Sequence, residues 1–217
     1  MIKNIAIIGG TFDPIHNGHT EMAMYIIKNN YADKVLIMPS YFSPHKDVDT
    51  IKSFNDRVNM INLAINGIDN IAVTTFEKKH FEKHNDKTYT YEVLNELSKI
   101  HPECKLNFVI GFDSIKNIHT WHNYKQLLKE YSFYIFDRED DELSSYDQKI
   151  KFIDNIKSDL NIDFNYRLFD TKILNISSTT IRNLLLGFDT NRDLLLKYIN
   201  KDVLNYIIEN RLYGTKQ

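Results

Sequence analysis

The sequence is poor in the residues that punctuate or cross-link a chain: one cysteine, four prolines, seven glycines and one tryptophan in 217 residues. A lone thiol, Cys104, cannot form an internal disulfide, which fits a reducing compartment. The formal net charge is −2. There is therefore no basic field of the kind that draws nucleic acid, and any phosphate binding must be local. Long hydrophobic runs are also missing. The N-terminal "NIAII" has the length of one strand, short of a secretory signal core or a membrane span. These absences predict a cytoplasmic chain with no membrane or nucleic-acid partner. Hydrophobic residues make up 42%, enough for one good core. The length predicts a single domain over 1–217, with a small helical C-terminal portion from about 179.

What is present alternates. Short runs rich in Ile, Val and Phe at 4–10, 34–39, 70–76, 105–113 and 132–138 read as strands buried on both faces, with a later one near 165–171. Helical spacing of apolar residues falls between them at 18–29, 54–65, 90–100 and 121–130, and after them at 179–186 and 202–211. This order predicts an α/β fold: a doubly wound, mostly parallel sheet with helices on both faces. Ligands of such sheets sit at the carboxyl ends of the strands, where strand order reverses. The acidic stretch 137–148 reads as a solvated loop. His80 and His84, four apart in "KKHFEKHNDK", read as a solvated helix or loop edge and not a metal site, since no third ligand stands nearby in the sequence.

The scarce glycines are concentrated in "GGTFDPIHNGH" at 9–19, directly behind the first strand. Gly9 and Gly10 let backbone and ligand approach closely, and Pro14 biases Asp13 toward an extended conformation. The stretch is neither a dinucleotide fingerprint nor a P-loop, since the third glycine and the Gly-Lys-Ser/Thr are missing. His16 precedes a helix and His19 lies in its first turn, with Gly18 removing a side chain between them. Taken alone, H-x-G-H fits a metal pair or turn residues as well. Behind a strand and "GGTFDP", two imidazoles, free backbone amides and a helix N-terminus fit a phosphate chain.

Four further segments add candidate site residues. "PSYFSPHK" (39–46) follows the second strand and ends in His45 and Lys46, a point charge for phosphate oxygens. In "NISSTTIR" (175–182), Ser177 or Ser178 caps a helix, and Arg182 leans back one turn toward its mouth. In "IGFDSIKNIHTWHNYKQLL" (110–128), Gly111 and Asp113 close a buried strand and Trp121 starts a helix. Trp121 suits either the core or a stacking platform for a flat ring. "KTYTYEVL" (87–94) opens another helix at Thr88, with no acidic side chain beside it in "KTYTY".

"GTFDPIHNGH" resembles the signature of the nucleotidyltransferase superfamily, which has a Rossmann-like fold. The full set of segments, with "VLNYIIENRLY" near the C-terminus, resembles the nicotinate-nucleotide adenylyltransferase family of the bacterial NAD pathway over nearly the whole chain. Phe112 stands where the family has alanine, 78–87 is longer and more charged, and "FDRED" lacks the Arg-Pro-Gly turn. The resemblance implies that ATP and nicotinate mononucleotide give nicotinate adenine dinucleotide and pyrophosphate by direct in-line attack, without a covalent intermediate. It implies catalytic roles for His16, His19, Lys46 and Arg182. ATP would meet Gly9, Gly10, Thr11, Phe12, His16, His19, Gly111, Asp113, Ile176, Ser177, Ser178, Thr179 and Arg182. Nicotinate mononucleotide would meet Gly10, Thr11, Ser40, His45, Lys46, Thr88, Tyr89, Trp121, His122 and Arg138. Mg²⁺ would ride on the substrate phosphates, with no dedicated metal ligands. A pantetheine-phosphate adenylyltransferase and a non-catalytic nucleotide-binding regulator are the rival readings, and oligomeric state, a homodimer included, stays open.

Overall fold

A computed structural model describes residues 2–41, 52–85, 87–137, 145–171 and 173–215. Six strands, β1 (Asn4–Gly10), β2 (Lys34–Pro39), β3 (Ile71–Val73), β4 (Lys105–Gly111), β5 (Ser132–Phe136) and β6 (Tyr166–Phe169), form one sheet in the order β3-β2-β1-β4-β5-β6. Every pairing is parallel, so the expected mostly parallel sheet is wholly so among the described residues. Strand order reverses between β1 and β4, which is where a doubly wound sheet opens a ligand crevice. The register sets Gly10 beside Pro39 and Gly111 beside Phe136, bringing the glycine ends of β1 and β4 to one edge.

Alternation along each strand feeds two core layers. Ala6 and Ile8 of β1 pack into the layer shared by α1 (Asn17–Lys28), α2 (Phe54–Ile65), α8 (Ser178–Leu186), α9 (Phe188–Tyr198) and α10 (Lys201–Glu209). Ile5 and Ile7 face the layer of α4 (Thr90–Ile100), α5 (Phe112–Lys116), α6 (Tyr124–Glu130) and α7 (Tyr146–Leu160). No helix among the described residues is long and apolar enough to cross a membrane.

Several elements differ from expectation. The strand expected over 70–76 ends at Val73, and α3 (Phe76–His84) begins where it was to finish. α9 runs through a stretch where no helix was expected. The helix expected over 121–130 is split: a 3₁₀ turn covers Ile118–Thr120, Trp121 ends it in an extended conformation, and α6 starts at Tyr124 after Asn123 at φ 52°. Trp121 therefore stands between two helical turns instead of starting one. The loop expected through 148 gives way at Ser145, which caps α7 in a reciprocal box with Gln148.

Candidate active site

The cleft at the carboxyl edge of the sheet has a volume of about 1060 Å³. On its β1 side, strand, turn and helix follow within a few residues, as the glycine-rich stretch demands. A Cβ on Gly9 would meet the Phe108 ring at 3.2 Å, and one on Gly18 would meet the Leu174 carbonyl at 2.7 Å and His16 Nδ1 at 3.2 Å. Only glycine fits at position 18 without moving backbone. That close packing lets the rings of His16 and His19 stack at 3.6 Å with 22° between planes. The His16 backbone N–H donates to His19 Nδ1 at 3.3 Å. With Nδ1 as acceptor, a neutral His19 carries its proton on Nε2 and is a donor there. Phe12 packs edge-on behind His19 at 4.9 Å.

The turn that carries these histidines is tied down from below. Arg57, 3% exposed, donates from Nη1 to the Thr11 carbonyl at 2.8 Å and from Nε to the Lys52 carbonyl at 3.1 Å. The Tyr213 hydroxyl donates to Asp13 Oδ1 at 2.6 Å, and the Lys52 N–H to the same oxygen at 3.3 Å. Burial pushes the Arg57 guanidinium below its ordinary value, opposed by the Asp13 charge. Burial, and next Asp13, pushes the Tyr213 phenol far up, so it stays a donor. From α8, Arg182 donates from Nη1 to the Asp13 carbonyl at 2.8 Å and from Nη2 to Thr179 Oγ1 at 3.1 Å. Ser178 Oγ donates to the Pro14 carbonyl at 2.9 Å. Sequence reading missed Asp13, Arg57 and Tyr213 as a group. The signals were a single arginine inside the apolar face of 54–65 and a tyrosine after "NR", neither informative until the chain closes.

At the other end, Trp121 meets the Phe108 ring edge-on at 6.1 Å, and Tyr89 stacks on His122 at 4.2 Å. His122 Nε2 lies 3.4 Å from Glu92 Oε1. Ser40 Oγ is buried on the cleft wall without a hydrogen-bond partner among the described residues. The stretch around Thr88 holds no acid of its own, but Glu77 from the first turn of α3 brings one. Its Oε1 accepts from Thr88 Oγ1 at 2.8 Å and from the Tyr41 N–H at 3.0 Å, and Glu77 lines the cleft. The sequence gap of eleven residues hid this contact, because Glu77 falls between the strand expected over 70–76 and the charged edge expected over 78–87. At the end of β4, a Cβ on Gly111 would fall 2.2 Å from Asp113 Oδ1, so glycine is what lets that carboxylate fold back over the strand.

The cleft thus brings together Gly9, Gly10, Thr11, His16, His19, Ser40, Thr88, Tyr89, Gly111, Asp113, Trp121, His122 and Ile176. Phe12 is buried behind His19. Ser177, Ser178, Thr179 and Arg182 do not line the cleft: they cap α8 and hold it against the Asp13–Pro14 turn. His45, Lys46 and Arg138 lie outside the described residues.

Residues 7–184 match the family described as cytidylyltransferase-like. A probable nicotinate-nucleotide adenylyltransferase of Clostridium tetani is 32% identical over 89% of this chain and 92% of its own. One of Listeria monocytogenes is 30% identical over the full length of both. The chain belongs to the nicotinate-nucleotide adenylyltransferase family. Among solved structures, a Plasmodium falciparum nicotinic acid mononucleotide adenylyltransferase complexed with NaAD superposes with a TM-score of 0.79 at 26% identity, over 99% of this chain and 98% of that one. The same enzyme complexed with APC gives 0.78. The match over 7–184 runs from within β1 into α8. It covers the family's cleft and leaves out the C-terminal Tyr213 that braces the turn beneath it.

Proposed function

We propose that this chain joins ATP and nicotinate mononucleotide into nicotinate adenine dinucleotide with release of pyrophosphate, as a step of NAD biosynthesis. The observation that carries the reading is the two-ended cleft. A stacked imidazole pair at the start of α1 faces one end, and an aromatic surface of Trp121, Tyr89 and His122 beside the start of α4 lines the other. The mononucleotide phosphate is a nucleophile near neutral pH, its second ionisation lying near pH 6. One of its oxygens attacks the ATP α-phosphorus, the bond to the bridging oxygen breaks, and pyrophosphate leaves in line. No base and no covalent enzyme intermediate are required, so catalysis is alignment and charge stabilisation.

We assign His19 to the α-phosphate, where its Nε2–H stabilises developing charge, and His16 to the phosphates beside it. Lys46 is assigned to the departing pyrophosphate, and Arg182 lends its charge from behind the turn that it positions through the Asp13 carbonyl. Gly9–Thr11, Gly111, Asp113 and Ile176 surround the rest of ATP, with Phe12 backing His19 and Ser177–Thr179 supporting this wall from the start of α8. Trp121 stacks on the pyridine ring, and backbone N–H groups near Thr88 and His122 receive its carboxylate. Ser40, with its buried hydroxyl, joins Gly10, Thr11, Tyr89, His45, Lys46 and Arg138 around the mononucleotide.

Mg²⁺ suits this site as a passenger of the triphosphate. The cleft residues of the β1–α1 turn, Gly9, Gly10, Thr11, His16, Gly18 and His19, are a donor set for anions, while the cleft carboxylates Glu77, Asp113 and Asp137 come singly from three other segments and form no cluster of the kind that cages hard Mg²⁺. Bound Mg²⁺ would neutralise phosphate charge while His16 and His19 hold the oxygens. Pyrophosphate release from ATP, measured with nicotinate mononucleotide and with pantetheine phosphate, tests the reading. Release with the former alone is expected. Release only with pantetheine phosphate, or with neither, overturns it.

A further inference from the structure

α3 and α4 hold a second constellation, none of whose residues lines the cleft. His80 and His84 lie one turn apart on α3, and Glu96 of α4 faces both. His80 Nδ1 is 2.9 Å from Glu96 Oε2, and His84 Nε2 is 2.8 Å from Oε1. One ligand atom from each residue can be chosen so that all three lie within 4.8 Å of one another. Around a tetrahedral dication bonded at about 2.1 Å, donor atoms stand roughly 3.4 Å apart, so small side-chain adjustments suffice. The His80 side chain is 7% exposed and that of His84 41%, giving the cluster a buried floor and an open side. The sequence hid the third ligand, which stands twelve residues beyond His84 and reaches it only because α3 packs on α4.

We propose that His80, His84 and Glu96 bind a borderline transition-metal dication such as Zn²⁺, with the fourth position open to water. Two imidazoles and one carboxylate are the donor set that such ions take, whereas Mg²⁺ requires an oxygen shell. Lys83 Nζ donates to Glu96 Oε1 at 2.8 Å. It becomes the outer partner that orients the ligating carboxylate. The ion staples α3 to α4 beyond the first turns that carry Glu77 and Thr90 to the cleft, so its principal effect is on the rigidity of that wall.

The test uses the full chain without a histidine tag, stripped by chelator and titrated with Zn²⁺ by calorimetry. Thermal melting is followed in parallel, with Co²⁺ as a spectroscopic substitute. Expected are one equivalent bound, a rise in Tm on Zn²⁺ addition, and a tetrahedral Co²⁺ absorption band. His84→Ala, at an exposed position, and the isosteric Glu96→Gln should each weaken binding by at least the about 10- to 100-fold typical of losing an outer partner, with unchanged far-UV circular dichroism. No saturable binding up to about 100 µM metal, or binding retained at wild-type strength in either variant, overturns the proposal and leaves the cluster as an ion-paired contact with Lys83.

Discussion

At His19 one backbone bond decides the chemistry: the His16 N–H occupies Nδ1, so the proton available to a phosphate is on Nε2. His19→Ala removes that donor at the atom where charge develops. Steady-state kinetics should show kcat lower by about 10²–10³, with KM for ATP changed much less. Arg182→Lys keeps the charge and loses the fork that spans the Asp13 carbonyl and Thr179. Its kcat/KM for ATP should fall clearly below wild type, and equality would remove the guanidinium from the account. Glu77 opposes a bound pyridine carboxylate from the far side of Thr88. Glu77→Gln keeps an oxygen acceptor and removes the charge, so the acid-to-amide ratio of kcat/KM should rise roughly 3- to 10-fold. An unchanged ratio would place the pyridine carboxylate away from Thr88.

Elements show where sequence information is local and where it is not. α2 at 54–65 and α4 at 90–100 appear at their expected bounds, because each has a full apolar stripe, and Ser53 also caps the start of α2. α3 was legible only as a solvated helix or loop edge, because its core-facing residue is His80, a polar side chain buried against Glu96 from another helix. The H-x-G-H turn was legible because its glycines, proline and histidines are neighbours in sequence. Its bracing by Arg57 and Tyr213 was not, since those groups meet Thr11 and Asp13 from 46 and 200 residues away. Tyr213→Phe should cost about 1–3 kcal/mol in denaturant unfolding by stripping a buried carboxylate of a donor. Gly18→Ala drives a methyl against the Leu174 carbonyl. It should cost about 1–3 kcal/mol of stability and lower kcat as well, since the same methyl displaces His16.

Across the whole molecule, the order β3-β2-β1-β4-β5-β6 puts the switch point under the histidine turn and the aromatic end on opposite sides of one crevice. The doubly wound parallel sheet followed from the alternation of elements, and its strand order came only with the structure. The acidic wall at Glu77 and the α3–α4 clasp did not, being products of tertiary contact. The clasp also sets a pH dependence. Lys83, then His80 and His84, hold the Glu96 carboxyl down at about 2, against an ordinary 4.5. A lowered carboxyl pKa gives stability that is complete above about pH 5 and is lost as the pH falls toward 2. In the metal-free chain, the Tm difference between wild type and Glu96→Gln should therefore close as the pH falls from about 4.5 to 2. A difference that does not change over that range would contradict the ion-paired clasp.

The central claim is adenylyl transfer to an acid-bearing mononucleotide. The direct measurement is kcat/KM for nicotinate mononucleotide and for nicotinamide mononucleotide at saturating ATP, with the dinucleotide product identified. Backbone donors near Thr88 and His122 match a carboxylate and oppose a carboxamide NH₂. The account therefore predicts a preference for the acid of about 10- to 100-fold even with Glu77 present. Equal values, or a preference for the amide, would contradict it.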